Sequence, residues 1–521
     1  MRNWRSFYEI LKYPLEVLFA GVILCGLGNL VTNPLFGLSD IITNTYARAG
    51  AEMLNRIGQF LIVNFPLLFL IRLSARRGGS ANSIISSAAG YVAYLTATMF
   101  FTDTSLPSTS YSSILGLSIS RSTVSYLANT SHYPLQTGIF GALITAAISI
   151  WSFNRTRRRN EYGFFSFLSK ESACTIRTIF CCTLAGTAVA FGWPFLLKFI
   201  QRVVRFISVD TTNPINLALY GIMDRLLGTL HLGTLIRQPF WYSTNGGSWV
   251  NVAGISVAGD VNIWTAQLSA NALTGMAGRF FTPYYVLNIF AVPAMIWSMF
   301  FLNTDAMERR RTWLLFLLGT LASWLSGTML PLELMLVLLC PLLYMFHLLY
   351  TGVLYGLFQA LHVYLGYYST DTLTMSALPG TLGEFISYLR YPNLTRSLLI
   401  AAAVGAVSMV IYFFATRIYF KYLSVDLFRT GEKELYVNTT IKAIGGIENV
   451  KMVQSSISSL TVSVYDPNRM DLSRLRNIGS CRVYETRAGY TICFGAPSTM
   501  VRIAIEQAMR DSIRDVNNMQ Q

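Results

Sequence analysis

Long apolar runs, broken by short polar or basic segments, fill the first 420 or so residues of the chain. A helix needs about 20 apolar residues to cross roughly 30 Å of hydrocarbon. Runs of that kind fall near 15–37, 56–73, 84–102, 135–153, 176–199, 283–302, 312–330, 333–358 and 394–417. The 214–240 region is apolar but interrupted, and reads as a broken or re-entrant helix. The pattern predicts about ten spans. Ahead of the first run, Trp4, Phe7, Tyr8 and Leu11 fall on one helical face, with Arg2, Arg5 and Lys12 elsewhere. This predicts an amphipathic helix over 1–14 lying in the membrane interface, not a cleavable signal. A plain extension of the first span is the alternative.

The pattern changes near residue 425. Residues 424–432 are a short polar linker, and 433–521 read as a small α/β domain. Residues 433–444 suit a helix, and Leu460, Val462 and Val464 alternate with polar residues as in a half-buried strand. Val483 to Cys493 suits a hairpin turning at Arg487, Ala488 and Gly489. Pro497 opens a final helix with Val501, Ile505, Ala508 and Met509 on one face. About ninety residues suffice for a small core. The expected organisation is therefore an interfacial helix (1–14), a polytopic α-helical membrane domain (15–423), a linker (424–432) and an α/β domain (433–521). Two polar loops, 102–132 and 242–268, are either surface loops or the lining of a substrate path.

Composition agrees with a membrane protein. Of 521 residues, 53% are hydrophobic and 12% charged, and mean hydropathy is +0.45; soluble proteins carry about a quarter charged residues. The net charge of +15 does not point to nucleic acid, because the basic residues edge apolar runs. Arg72, Arg76 and Arg77 follow one run, Arg155 and Arg157 to Arg159 another, Arg309 to Arg311 separate two more, and Arg417 and Lys421 end the last. Such ends face the cytoplasm by the positive-inside rule, which places the C-terminal domain there too. The seven cysteines show no metal spacing, and neither structural disulfides nor a cofactor is expected.

Specific motifs narrow the class. Ala443-Ile444-Gly445-Gly446-Ile447-Glu448-Asn449-Val450-Lys451, the segment Val453 to Val462, and Asp466-Pro467 together resemble the IIB domain of glucose-type bacterial phosphotransferase-system sugar permeases. Upstream, Asn64-Phe65-Pro66-Leu67-Leu68-Phe69, Gly90-Tyr91, Thr137-Gly138-Ile139-Phe140-Gly141, Asn154-Arg155, Gly163-Phe164-Phe165, Trp193-Pro194, Gly278-Arg279-Phe280, Pro293-Ala294, Pro341-Leu342-Leu343-Tyr344 with His347, and Tyr412-Phe413-Phe414 with Arg417 resemble, in order, the IIC domain of that family. The resemblance implies a homodimeric inner-membrane carrier that moves its substrate subdomain like an elevator and binds a sugar through a few polar side chains and stacking aromatics. Its partners would be the sugar, lipids and other phosphotransferase-system proteins or a regulator.

The departures from the family are specific. Its phosphoryl-accepting cysteine is Ser456 here, and its two arginines are Ser459 and Thr461. A serine hydroxyl is far less acidic than a thiol and needs an adjacent base, yet residues 433–521 contain no histidine. In the membrane domain, Asp224-Arg225-Leu226-Leu227-Gly228-Thr229-Leu230-His231-Leu232-Gly233-Thr234 aligns with the sugar-binding segment. Arg225 is retained, Gly233 and Thr234 replace two histidines, and His231 is either a partial substitute or a packing residue. Gly327 to Glu333 aligns with the family's acidic motif; Leu330 replaces its first glutamate and Glu333 keeps its second acid, while Phe301 replaces another histidine. The candidate substrate residues are thus Asn64, Arg225, His231, Thr234 and Glu333. A sugar hydroxyl buried against Leu330 would lose about 1–3 kcal/mol. Two readings stay open. One is a permease homologue that has lost phosphotransfer and works as a sensor, regulator or uncoupled carrier of an unusual sugar-like ligand. The other is an active phosphorylating permease, served by a IIB domain in trans.

Overall fold

The structure is a computed structural model. It describes residues 2–36, 38–78, 81–101, 110–111, 114–117, 119–122, 129–158, 170–250, 254–273, 275, 277–304, 306–368, 379–423, 433–456, 458–477, 482–486, 489–493, 495 and 497–519. Two compact units are built from interleaved segments. One holds Ile10–Pro283 and Leu348–Leu398; the other holds Met1–Glu9, Tyr284–His347 and Leu399–Gln521.

Among the described residues, six helices are long and apolar enough to cross a membrane: Ile10–Thr32, Ala81–Phe100, Ser172–Val209, Thr282–Leu302, Pro341–Ala360 and Pro392–Leu423. Thr45–Val63 and Phe65–Arg77 form a seventh as a pair bent by 56°. The chain is thus a multi-pass membrane protein, but the expectation of about ten spans exceeds what these helices support. The 135–153 and 312–330 runs do fold, as helices Gly138–Arg158 and Ala306–Ser326. Their serines, threonines and terminal arginines leave them outside the set of apolar helices. The 333–358 run is not one helix. It breaks at Cys340 (φ −137°, ψ 58°) into Leu330–Leu339 and Pro341–Ala360. Pro341 has no N–H to donate and pushes the preceding residue out of the helical region.

Residues 2–32 form a single helix with Pro14 inside it; the side chains proposed to face the interface at 4, 7 and 8 lie outside the described residues. The 424–432 linker, Gly163-Phe164-Phe165, Cys481 and most of the 102–132 loop also lie outside them. The 214–240 region is broken, as its interrupted pattern suggests. Helix Pro214–Thr229, opened by Asn213 capping the Ile215 N–H at 2.9 Å, is followed by helix Thr234–Trp241.

In the unit that holds Ile10–Pro283, helices Ala81–Phe100 and Lys170–Val209 pack closely side by side. A Cβ at Gly186 would stand 2.5 Å from the Tyr94 carbonyl oxygen, so the approach depends on the missing side chain. Small residues at such contacts are how helices associate in lipid, where apolar burial gives no advantage. Cys182 is buried in this seam and Cys181 is partly covered.

In the other unit, residues 433–519 form a four-stranded antiparallel sheet. Its order is Val450–Ser455, Leu460–Val464, Gly489–Cys493, Arg482–Thr486. The expected hairpin is present, with Thr486 opposite Gly489 and Arg482 opposite Cys493. Leu460, Val462 and Ile492 from the sheet, Ala443 and Ile444 from helix Lys433–Ala443 and its end, Leu475, and Val501 and Ile505 from helix Ser498–Met519 form its core. Alternation along the strands and 3.6-residue spacing along the helix put these side chains on one side.

Candidate functional site

Within the unit of Ile10–Pro283, Asn64, His231 and Thr234 come together. Asn64 ends helix Thr45–Val63, where Pro66 follows two residues on. Its Nδ2 donates to the Phe60 carbonyl at 2.9 Å, and its Oδ1 accepts from the Leu115 N–H at 2.8 Å. The carbonyl of Ile62, two residues after Asn64's partner Phe60, meets His231 Nε2 at 3.1 Å. The His231 ring stacks on Phe65, centroids 5.2 Å apart. His231 itself has a positive φ of 59°, the local distortion that separates the two helices of the broken segment.

Gln136 holds that break open. Its Oε1 accepts from the Thr234 hydroxyl, and its Nε2 donates to the His231 carbonyl at 3.2 Å. Its own carbonyl accepts from Trp193 Nε1 at 2.9 Å. Gly138, at φ +53°, lets the Thr137–Gly141 element approach, since a Cβ there would stand 2.3 Å from the Leu230 carbonyl oxygen. Two motifs separated by some ninety residues thereby form one hydrogen-bonded cluster. Gln136 was missed by sequence reasoning; its only signal was its place next to Thr137.

Arg225 is 3% exposed, on the same helix as Asp224, and its carbonyl accepts from the Thr229 hydroxyl at 2.8 Å. Asp224, fully buried, accepts from Arg237 Nε. The Arg237 guanidinium also lies 5.5 Å from the Trp241 ring centroid. This ion pair spans the break between the two helices. Asp224 and Arg237 lie thirteen residues apart in sequence, too far to meet on one continuous helix, so a sequence pattern read as helix periodicity could not pair them.

Glu333 lies in the other unit. It is 4% exposed and occupies the first turn of helix Leu330–Leu339, where the helix dipole favours a carboxylate. His347 Nε2 stands 3.5 Å from Glu333 Oε1, and His347 Nδ1 is 2.8 Å from the Tyr412 hydroxyl. Leu330 opens the same helix, three residues before Glu333. Nearby, Asn288 Nδ2 donates to the Gly327 carbonyl at 2.7 Å, and Ser323 Oγ donates to the Asn288 carbonyl at 2.7 Å. Asn288 sits in a π-helical turn, Val286–Ala291, a feature frequent at functional sites.

Ser456, Ser459 and Thr461 also lie in this unit, and each is nearly buried. Ser456 follows the first strand of the sheet. Its Oγ accepts from the Ser459 N–H at 3.1 Å and the Ser458 N–H at 3.3 Å, and is 2.7 Å from Ser459 Oγ. Its N–H donates to the Ser459 carbonyl at 2.8 Å. Thr461 Oγ1 pairs with Thr491 Oγ1 at 3.3 Å. The hydroxyl at 456 is thus tied into a tight turn, with neither a thiol nor a cation from positions 459 and 461. The preceding residue docks the turn: the Ser455 N–H donates to Thr304 Oγ1 at 3.1 Å, and the Ser455 carbonyl accepts from the Thr304 N–H at 3.0 Å.

A family model described as "Phosphotransferase system, EIIC" matches residues 9–352. The chain belongs to the phosphotransferase-system EIIC family. It is also similar to a glucoside-specific EIICBA component from Staphylococcus carnosus (strain TM300), at 25% identity over 97% of this chain and 73% of that protein. The EIIC match covers Asn64, Gln136, Arg225, His231, Thr234, Glu333 and His347. The likeness to the EIICBA component covers 97% of this chain and so extends beyond the residues of the EIIC match.

Proposed function

We propose that this EIIC-family permease homologue does not take a phosphoryl group at position 456, and that it serves as a sensor, regulator or uncoupled carrier of a sugar-like ligand. One observation carries the reading: Ser456 Oγ is buried and bonded within its own turn to Ser459. Phosphoryl acceptance needs a reactive nucleophile and cations around the phosphoryl oxygens. A serine held as an acceptor by two backbone N–H groups, with hydroxyls at 459 and 461, offers neither.

On this reading the ligand is a sugar or a less polar relative. Leu330 in place of an acid removes one acceptor, while Arg225, His231, Thr234, Asn64 and Glu333 remain as polar candidates for its hydroxyls. The basic ends of the apolar helices support a bacterial inner-membrane protein with a cytoplasmic C-terminal domain. The family resemblance supports a homodimer and contact with phosphotransferase-system proteins.

The test is incubation of the full-length protein in detergent with a phosphorylated IIA protein, followed by mass spectrometry. No phosphate on Ser456 is the expected result, and stoichiometric labelling there overturns the proposal. Uptake in a strain lacking related permeases separates carrier from sensor. Accumulation of a sugar phosphate that depends on Arg225 or Glu333 would favour an active permease served by a IIB domain in trans.

A further inference from the structure

A second polar site lies where the last apolar helix meets the final helix of the sheet domain. A cleft of about 470 Å³ is lined by Leu302, Arg417, Lys421, Thr499, Arg502, Ile503, Glu506, Gln507 and Arg510. Four of these are basic and one is acidic. Arg417 and Lys421 come from the end of the apolar stretch Pro392–Leu423. The others, Leu302 apart, come from one face of Ser498–Met519, at the three- and four-residue spacing that shares a helix face.

Basic residues at the end of a span are ordinary, and by themselves would mark only the membrane surface. Three observations make this a concave anion site. First, Glu506 is already neutralised: Arg502 Nη1 donates to it, while Arg502 Nε donates to Ser455 Oγ at 3.1 Å. The charge left over belongs to Arg417, Lys421 and Arg510. Second, Thr499 is 1% exposed, and its Oγ1 has no hydrogen-bond partner among the described residues. A buried hydroxyl without a partner costs about 1–3 kcal/mol unless a ligand or water supplies one. Third, Thr499 stands in the first turn of a 22-residue helix, where the helix dipole favours an anion.

We infer that this cleft binds a phosphate group carried on a small polyol. Guanidinium and ammonium groups suit phosphate oxygens. The volume exceeds what a bare ion needs and lies within the range of about 300–1,000 Å³ for small-molecule sites. The same chemistry comes from two sources, a soluble phosphorylated polyol or the headgroup of an anionic glycerophospholipid. The second is favoured by the position of Arg417 and Lys421 at the end of a span, where basic residues attract anionic lipid. Bound phosphate would clamp the Pro392–Leu423 helix to Ser498–Met519, and so hold the Ser455–Thr304 contact through Arg502. The inference does not depend on whether Ser456 is phosphorylated.

The test uses the full-length protein in nanodiscs of phosphatidylcholine, with thermal unfolding as the readout. Glycerol 3-phosphate is titrated against chloride at equal ionic strength, and phosphatidylglycerol is introduced in a parallel set of discs. A rise in Tm with the soluble probe identifies a free phosphorylated ligand; a rise only with phosphatidylglycerol identifies a lipid headgroup. In either case the Arg417→Gln/Lys421→Gln variant is expected to weaken the effect about tenfold or more. Arg510→Gln, from the opposite wall, should weaken it independently, with an unliganded Tm near that of the wild type. No shift with either probe, or a shift that both variants retain in full, overturns the inference.

Discussion

Glu333 and His347 face each other with Oε1 and Nε2 3.5 Å apart, although fourteen residues separate them in sequence. On a continuous helix that separation would be about 21 Å along the axis. The break at Cys340–Pro341 is what allows the chain to bring them together, and Tyr412 then fixes the far side of the imidazole at 2.8 Å. Tyr412→Phe, which removes only the hydroxyl, is expected to cost about 0.5–1.5 kcal/mol of stability. His347→Ala should cost more, because it removes the imidazole beside the buried Glu333 as well as the bond to Tyr412. Thermal unfolding of the purified protein in detergent checks both, and equal losses would contradict the arrangement.

Asp224 and Arg237 form the ion pair across the broken helix, with Asp224 fully buried. Arg237→Gln should destabilise the protein by about 3–5 kcal/mol, since it leaves a buried carboxylate without its guanidinium. Adding Asp224→Asn to that variant should recover part of the loss. A double-mutant cycle measures the coupling; strictly additive losses would mean that the pair does not act as a unit.

Gly138→Ala is expected to destabilise by about 1–2 kcal/mol from the left-handed backbone alone. The close approach of its new methyl to the Leu230 carbonyl adds to that. The disturbance should reach the Gln136–Thr234 hydrogen bond, so hydrogen exchange at residues 230–236 ought to rise along with the fall in Tm. A Tm unchanged by the substitution would contradict the packing.

Ser456→Cys alone should accept little phosphate from a phosphorylated IIA protein. It restores the thiol but leaves Ser459 and Thr461 in place of cations, and charge stabilisation of the phosphoryl oxygens is the larger part of such catalysis. Stoichiometric labelling of this single variant would mean that the arginines are dispensable.

Much of the architecture was legible in the chain. Apolar runs mark the helices because lipid forces each one to satisfy its backbone internally, and the strands of the four-stranded sheet all lie beyond the change in pattern near residue 425. The hairpin ending at Cys493 and the buried face of Ser498–Met519 follow from periods of 2 and 3.6 residues. The count of spans is less legible, because Gly138–Arg158 and Ala306–Ser326 are long helices whose serines, threonines and arginines keep them out of the apolar set. The break inside the 333–358 run was signalled by Pro341, a residue that apolar helices also tolerate.

The sequence by itself determined which chemistry is missing at the candidate phosphoryl site: no thiol at 456, no guanidinium at 459 or 461, and no imidazole anywhere in 433–521. These are properties of residue identity, and no fold can supply them. Only the tertiary structure decided what the remaining polar groups do. Ser456 spends its hydroxyl within its own turn, Thr234 is held by Gln136, Asp224 by Arg237, and Glu333 faces His347. The reason is physical: a buried polar atom must find a partner, and in this chain those partners lie across helix breaks and tight turns that periodicity does not encode.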